Sequence, residues 1–181
     1  SITAADVDNG SNDNCGIAAL TIDNGSFDCS NVGANVVTLT VTDVNGNVSS
    51  CTSNVTVEDN VAPNAICQDL TVQLDAAGAG SITAADVNNG SNDNCGIASL
   101  TIDNGSFGCA DVGVNVVTLT VTDVNGNIST CTSNVTVEDN IAPNAICQDL
   151  TIQLDAAGAA SITAADVDND SNDNCGIASL G

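Results

Sequence analysis

The chain contains no lysine, no arginine and no histidine, against 23 aspartates and glutamates, and its formal net charge is −23. Without a cationic side chain there is no patch that could neutralise phosphate, which excludes nucleic-acid binding through the backbone. Histidine, lysine and tyrosine are all missing, and with them most general bases and activated nucleophiles. No lysine also means no lysine–asparagine isopeptide staple. Aromatics are 1% of the chain, so only Phe27 and Phe107 could stack on a sugar, and both read as core. No run of about 18 apolar residues offers a membrane span, and no signal peptide is visible. Methionine is absent too, so the chain reads as a mature or internal fragment. No catalytic constellation stands out, and the expectation is that the protein is not an enzyme.

What is present points to β structure. Hydrophobic residues make up 43% of the chain, carried by Val, Ile and Leu among many Thr, Asn, Asp and Gly. This is the composition of short strands joined by turns, not of a disordered acidic tail. Self-comparison gives the organisation. "SITAADV" opens at Ser1, Ser81 and Ser161, and "SNDNCGI" recurs at 11–17, 91–97 and 171–177, a period of 80 residues without a gap. Residues 1–60 and 81–140 differ at eight positions. A repeat this long exceeds most solenoid units and is expected to be a small domain in its own right. Pro63 and Pro143 suit a linker or a first strand residue. The boundaries expected are 1–60 for the C-terminal part of one unit, 61–140 for a complete unit, and 141–181 for the N-terminal part of the next, all cut from a longer array.

Within 61–140, alternation predicts strands near 66–74, 81–86, 96–102, 115–123 and from 128 onward, with an Asx-rich loop at 87–94. "DNGS" at 103–106 carries an Asn-Gly hairpin signal, and "VNGN" at 124–127 turns one strand into the next. Val117, Leu119 and Val121 face one way, as do Cys131, Val135 and Val137 (E.g. the period-2 pattern of a half-buried sheet). Following the strand directions, the 87–94 loop and the 123–127 turn fall at the same end as the incoming linker. The expected fold is all-β, a tandem series of antiparallel β-sandwiches.

The stretches "APNAIC", "DNCG" and "VGVNVVTLTVTDVNGNISTCTSNVTVED" resemble the hyalin-repeat module, an immunoglobulin-like domain of extracellular proteins. The wording is also similar to repeats of giant secreted surface proteins of gliding bacteria, the SprB-type gliding adhesins. The resemblance covers the whole 80-residue unit. It implies that the tandem β-sandwiches are immunoglobulin-like, with an extracellular, cell-surface location, export by a type IX system, and a role in attachment or gliding. The chain departs from the usual hyalin repeat in carrying Cys109 before the 115–123 strand, so the family's disulfide pairing is not carried over.

Each unit has four cysteines, at 67, 95, 109 and 131 in the complete copy. Four in 80 residues of an acidic repeat read as a disulfide frame rather than free thiols. Zinc is the rival, but there is no C-x2-C and no histidine. Three pairings are possible. The favoured one joins Cys67 to Cys131, because the first and last strands of such sandwiches are neighbours. Cys95–Cys109 would then close a local loop, as would Cys15–Cys29. A less simple arrangement has residues 141–160 completing another chain's truncated unit, with Cys147 bonded to Cys51 between chains.

The acidic residues gather in loops. Asp6, Asp8 and Asp13 lie in one, Asp86, Asn88 and Asp93 in the next copy, and Asp166, Asp168, Asp170 and Asp173 in the third. Alternating Asp and Asn oxygens are hard ligands suited to calcium. Asp123, Asn125 and the linker pair Glu58 and Asp59 fall at the same expected end, making a calcium site at the joint between units. Its next copy would use Glu138, Asp139 and the 166–173 cluster. The plain alternative is that Asp and Asn are good turn residues on a solvated acidic surface. With 23 carboxylates and no cationic side chain, however, any that approach one another need a cation from solution. The functional expectation is an extracellular filament or stalk segment, whose partners are neighbouring repeats and other filament chains. A glycan- or protein-binding repeat module is the alternative.

Overall fold

The computed structural model describes residues 1–181 as an all-β chain in mostly antiparallel sheets with three single-turn α-helices and two 3₁₀ turns, Cys29–Asn31 and Cys109–Asp111. In chain order the elements are α1 (Ala4–Val7), β1 (Ile17–Ile22), β2 (Gly33–Asp43), β3 (Val48–Val57), β4 (Leu70–Gln73) and β5 (Ala79–Ser81). There follow α2 (Ala84–Val87), β6 (Ile97–Ile102), β7 (Ser106–Gly108), β8 (Gly113–Asp123), β9 (Ile128–Glu138) and α3 (Ala164–Val167). Strands β1–β2–β3 form a three-stranded sheet, and β6, β8 and β9 repeat it one period later with β4 added, in the order β4–β9–β8–β6. The β4–β9 pairing is parallel, Leu70 opposite Val135 and Gln73 opposite Glu138. Strands β5 and β7 make a separate two-stranded sheet.

The core follows from the alternation. Along β8 and β9 every second side chain turns inward, so Val117, Leu119, Val121, Val135 and Val137 are buried. Val72 and Leu74, Ile82 and Val87, and Phe107 close over them to make one cluster of ten. All ten lie between residues 72 and 137, inside the unit expected at 61–140. The 123–127 turn forms as read. Asp123 Oδ1 accepts from Asn125 N and Asn127 N, and Gly126 takes a positive φ of 93°.

Three local expectations are corrected. The strand expected over 81–86 is β5 followed by one helical turn, because Thr83 and Asp86 close a capping box. The Asp86 carboxylate accepts from Thr83 N at 2.7 Å and Thr83 Oγ1 at 2.6 Å. Thr3–Asp6 and Thr163–Asp166 do the same in the other copies. Strand β4 begins at Leu70, and the segment before it makes only isolated bridges, Asn64 to Asn92 and Cys67 to Asn88. The Asn-Gly signal at 104–105 does not build a hairpin: β6 pairs with β8, and β7 pairs with β5. Asp103 holds the end of β6 to β8 by accepting from Thr118 N at 2.9 Å. Gly105 O then accepts from Ile82 N, so the chain crosses to the second sheet. A Cβ at Gly105 would sit 2.8 Å from the Ile82 carbonyl oxygen, so this crossing requires glycine.

Candidate functional site: the joints between units

Where one unit meets the next, the linker after β3 runs beneath the 123–127 turn. Asn127 Nδ2 donates to Asp59 O at 3.0 Å and Val61 O at 3.3 Å. The same amide donates to Asp123 Oδ2 at 2.7 Å. Asn94, in the loop between α2 and β6, donates from Nδ2 to Asp59 Oδ1 at 3.3 Å. These contacts bring three carboxylates from three separate stretches together. One oxygen each of Asp59, Asp93 and Asp123 lies within 4.8 Å of the others.

Their remaining bonds leave two of the oxygens without a donor. Asp123 is 1% exposed, with all its acceptor bonds coming from its own turn. Burial pushes its carboxyl up, but the donors on Asn127, Asn125 and Gly126 outweigh that and hold it below the usual carboxylate range. Asp93 Oδ2 accepts from Cys95 N at 2.8 Å and Gly96 N at 3.2 Å, while its Oδ1 is buried with no partner. Asp59 Oδ1 accepts from Val61 N, while its Oδ2 is likewise buried and unpartnered. Buried polar atoms are nearly always bonded, so two orphaned carboxylate oxygens in one acidic cluster leave acceptor capacity that a cation could fill. The second joint repeats part of this. Asn174 Nδ2 donates to Asp139 Oδ1 at 3.0 Å, and Asp173 Oδ1 is buried without a partner. Asp139 and Asp173 are Asp59 and Asp93 one period on, and no residue of 1–181 stands one period on from Asp123.

The other sequence-nominated residues have local work. Asp6, Asp86 and Asp166 cap the helical turns, and bonds from Thr3, Thr83 and Thr163 hold their carboxyls low. Asp8, Asn88 and Asp168 accept from the backbone N–H of Ser11, Ser91 and Ser171. Asp13 accepts from Cys15 N, in the first copy of the Asp93 position. Glu58 accepts from Asn60, and Glu138 from Gln73 at 2.6 Å. Asn125 contributes its backbone N–H to the turn. Asp170 holds a left-handed φ of 62° and accepts from Asn172 through its carbonyl. None of these joins the Asp59–Asp93–Asp123 cluster.

The disulfides also belong to the joints. Cys67 is bonded to Cys131 within the unit, Cα–Cα 5.8 Å. The expected Cys95–Cys109 and Cys15–Cys29 loops are not formed. Instead Cys29 is bonded to Cys95 and Cys109 to Cys175, each across a joint, with Cα–Cα distances of 5.2 and 5.1 Å. The reason is a single rigid strand. Cys95 precedes β6 and Cys109 follows β7, and six extended residues of β6 separate the two ends by about 20 Å. A disulfide needs Cα atoms within about 7 Å. Beside the second bridge, Gly78 has a φ of 72°, and a Cβ there would sit 2.7 Å from Cys109 Sγ and 2.9 Å from Asn174 O. Only glycine lets the two units close to this distance. Cys15, Cys51 and Cys147 are free and exposed. They are the period-related copies of Cys95, Cys131 and Cys67, whose partners would fall outside residues 1–181.

The repeat supplies an internal control for the joint. Asp43 occupies the Asp123 position in the first copy and makes the same three bonds, to Asn45 N, Asn47 N and Asn47 Nδ2, but no linker lies against it. Asp123→Ala strips acceptors from a covered turn and lowers the melting temperature by roughly 5–15 °C, whereas Asp43→Ala shifts it by under about 3 °C. Equal shifts in a calorimetric melt would mean that the joint adds nothing to the turn.

Fold and joints together define a class: an all-β protein of repeated acidic units, covalently bonded to one another through disulfides. Compared with protein-family models and with curated proteins, the chain matches none. The three disulfides point to an oxidising compartment, and no helix is long and apolar enough to cross a membrane.

Proposed function

We propose that the chain is a segment of an extracellular stalk, built from tandem immunoglobulin-like units and stiffened by calcium at each joint. The observation that carries this reading is the pair of buried, unpartnered oxygens of Asp59 and Asp93 beside Asp123. The donor set fits the ion. It is all carboxylate oxygen, it spans 4.8 Å or less, and no cationic side chain exists anywhere in the chain to take the ion's place. Asp59 comes from the linker, Asp93 and Asp123 from the following unit, so an ion bound by all three ties linker to unit. Two sheets closed over one core, with β4 pairing in parallel to β9, support the immunoglobulin-like assignment. The exported, adhesin-type setting and a role in attachment or gliding rest on the hyalin-repeat resemblance. In this reading the units serve as spacers, with neighbouring repeats as partners and recognition lying elsewhere.

Extracellular modules of this kind bind calcium at about 10⁻⁴–10⁻³ M, so 10 mM calcium raises the melting temperature by roughly 5–20 °C over EDTA. Asp59→Asn with Asp93→Asn abolishes that difference. Calorimetry with small-angle scattering reads both the shift and the stiffening. A melt and a scattering profile identical in calcium and EDTA would remove the ion from the stalk.

A further inference from the structure

The three disulfides close loops that overlap along the chain. One spans 29–95, the next 67–131, and the third 109–175. Each loop begins before the previous one has ended. Any peptide bond between residues 29 and 175 therefore lies inside at least one loop. The linker after β3 is bridged by Cys29–Cys95, the linker after β9 by Cys109–Cys175, and the stretch between Cys95 and Cys109 by Cys67–Cys131.

We infer that these interlaced disulfides make the array a covalent double rail, which stays joined when its backbone is cut once anywhere in this span and which cannot be drawn out when its units unfold. The first property is protection against extracellular proteases. The second is mechanical. The shortest covalent route from Cys29 to Cys175 crosses the first disulfide, follows the chain from Cys95 to Cys109, and crosses the third. Those 14 steps (109 less 95), fully extended, reach about 50 Å. The backbone route of 146 steps (175 less 29) would reach about 500 Å. A tether wired in this way transmits load even with every unit denatured. A pairing of Cys95 with Cys109 inside the Cys67–Cys131 loop would give neither property at the linkers, since each linker would then be a single unprotected strand.

The inference rests on the stalk reading only for its use to the organism, and the connectivity can be tested without calcium or any binding partner. The chain holds two glutamates, Glu58 and Glu138, one at each joint. A glutamate-specific protease, run to completion in urea without reductant, cuts both linkers into 1–58, 59–138 and 139–181. With Cys15, Cys51 and Cys147 replaced by serine to prevent exchange, the non-reducing gel shows one species of full-length mass. The reducing lane shows three fragments and certifies the cleavage. In the same background Cys95→Ser releases 1–58 while 59–138 and 139–181 stay joined. Three separate fragments in the non-reducing lane overturn the proposal, as does retention of 1–58 by the Cys95→Ser variant. If the rail holds while calcium has no effect, only the ion in the stalk reading fails.

Discussion

Replacing both Cys67 and Cys131 by serine lowers the melting temperature of the 61–140 unit by roughly 15–30 °C. Their bond closes a loop of sequence separation 64, for which the chain-entropy relation gives about 4 kcal/mol. In a domain of this size each kcal/mol moves the midpoint by about 4–8 °C. An 80-residue unit has a total stability of about 4–12 kcal/mol, so the bond accounts for a third of it or more. The core explains the dependence. It consists of ten buried side chains with one aromatic among them, Phe107, and the rest are Val, Leu and Ile. Cys67 and Cys131 pack at its edge, and serine preserves their volume closely enough that the loss reports the cross-link rather than a cavity. A melt of the double variant within about 5 °C of the parent, followed by circular dichroism, would mean that the sheets stand without the bond.

The strands that bound the joint were readable from the sequence because their alternation is strict. The inward residues of β8 and β9 are those that alternation names, and the 123–127 turn sits where Asn-Gly marks it. From strand directions alone, the linker, the 87–94 loop and that turn fall at one end, and Asp59, Asp93 and Asp123 do meet there. Asp86 and Asn88 could not be separated from Asp93 by residue type. All are Asx within eight residues, and what divides them is the second oxygen: Asp93 keeps Oδ1 buried without a partner, whereas Asp86 is exposed and turned back to Thr83. The helical turn at 84–87 was hidden because four residues are too few to display a helical period.

The disulfides were legible only up to the repeat. Cys95 belongs to one class with Cys15 and Cys175, and Cys109 to another with Cys29. Every joint bridge does pair those two classes, but each joins adjacent units, 66 residues apart, where the local alternative lies within one unit. A periodic sequence specifies a pairing only modulo its period, and loop entropy favours the shorter choice. The signal that decides is distance along the strand. The full length of β6, which the three-residue β7 does not retrace, places Cys95 and Cys109 at opposite ends of the unit, where each faces a different neighbour.

Leu119→Ala costs the same unit about 3 kcal/mol, within the range of about 2–5 kcal/mol seen for buried leucines, and lowers its urea midpoint accordingly. Leu119 is fully buried in the middle of β8, opposite Ile102 on β6 and Cys131 on β9. Truncation leaves a space that its neighbours are poorly able to fill. Val117, Val121, Val135 and Val137 are β-branched, each confined to few rotamers, and the strands carrying them are held in register on both sides. The Cys67–Cys131 bond at the core edge further limits collapse. Val116, on the opposite face of the same strand, is 64% exposed, and Val116→Ala changes stability by under about 0.5 kcal/mol. The contrast between two apolar residues three apart on one strand measures how one-sided the sheet is. Similar losses at both positions, read from urea unfolding at constant slope, would show that the outer face of β8 is covered in solution and that the unit packs against more than its own second sheet.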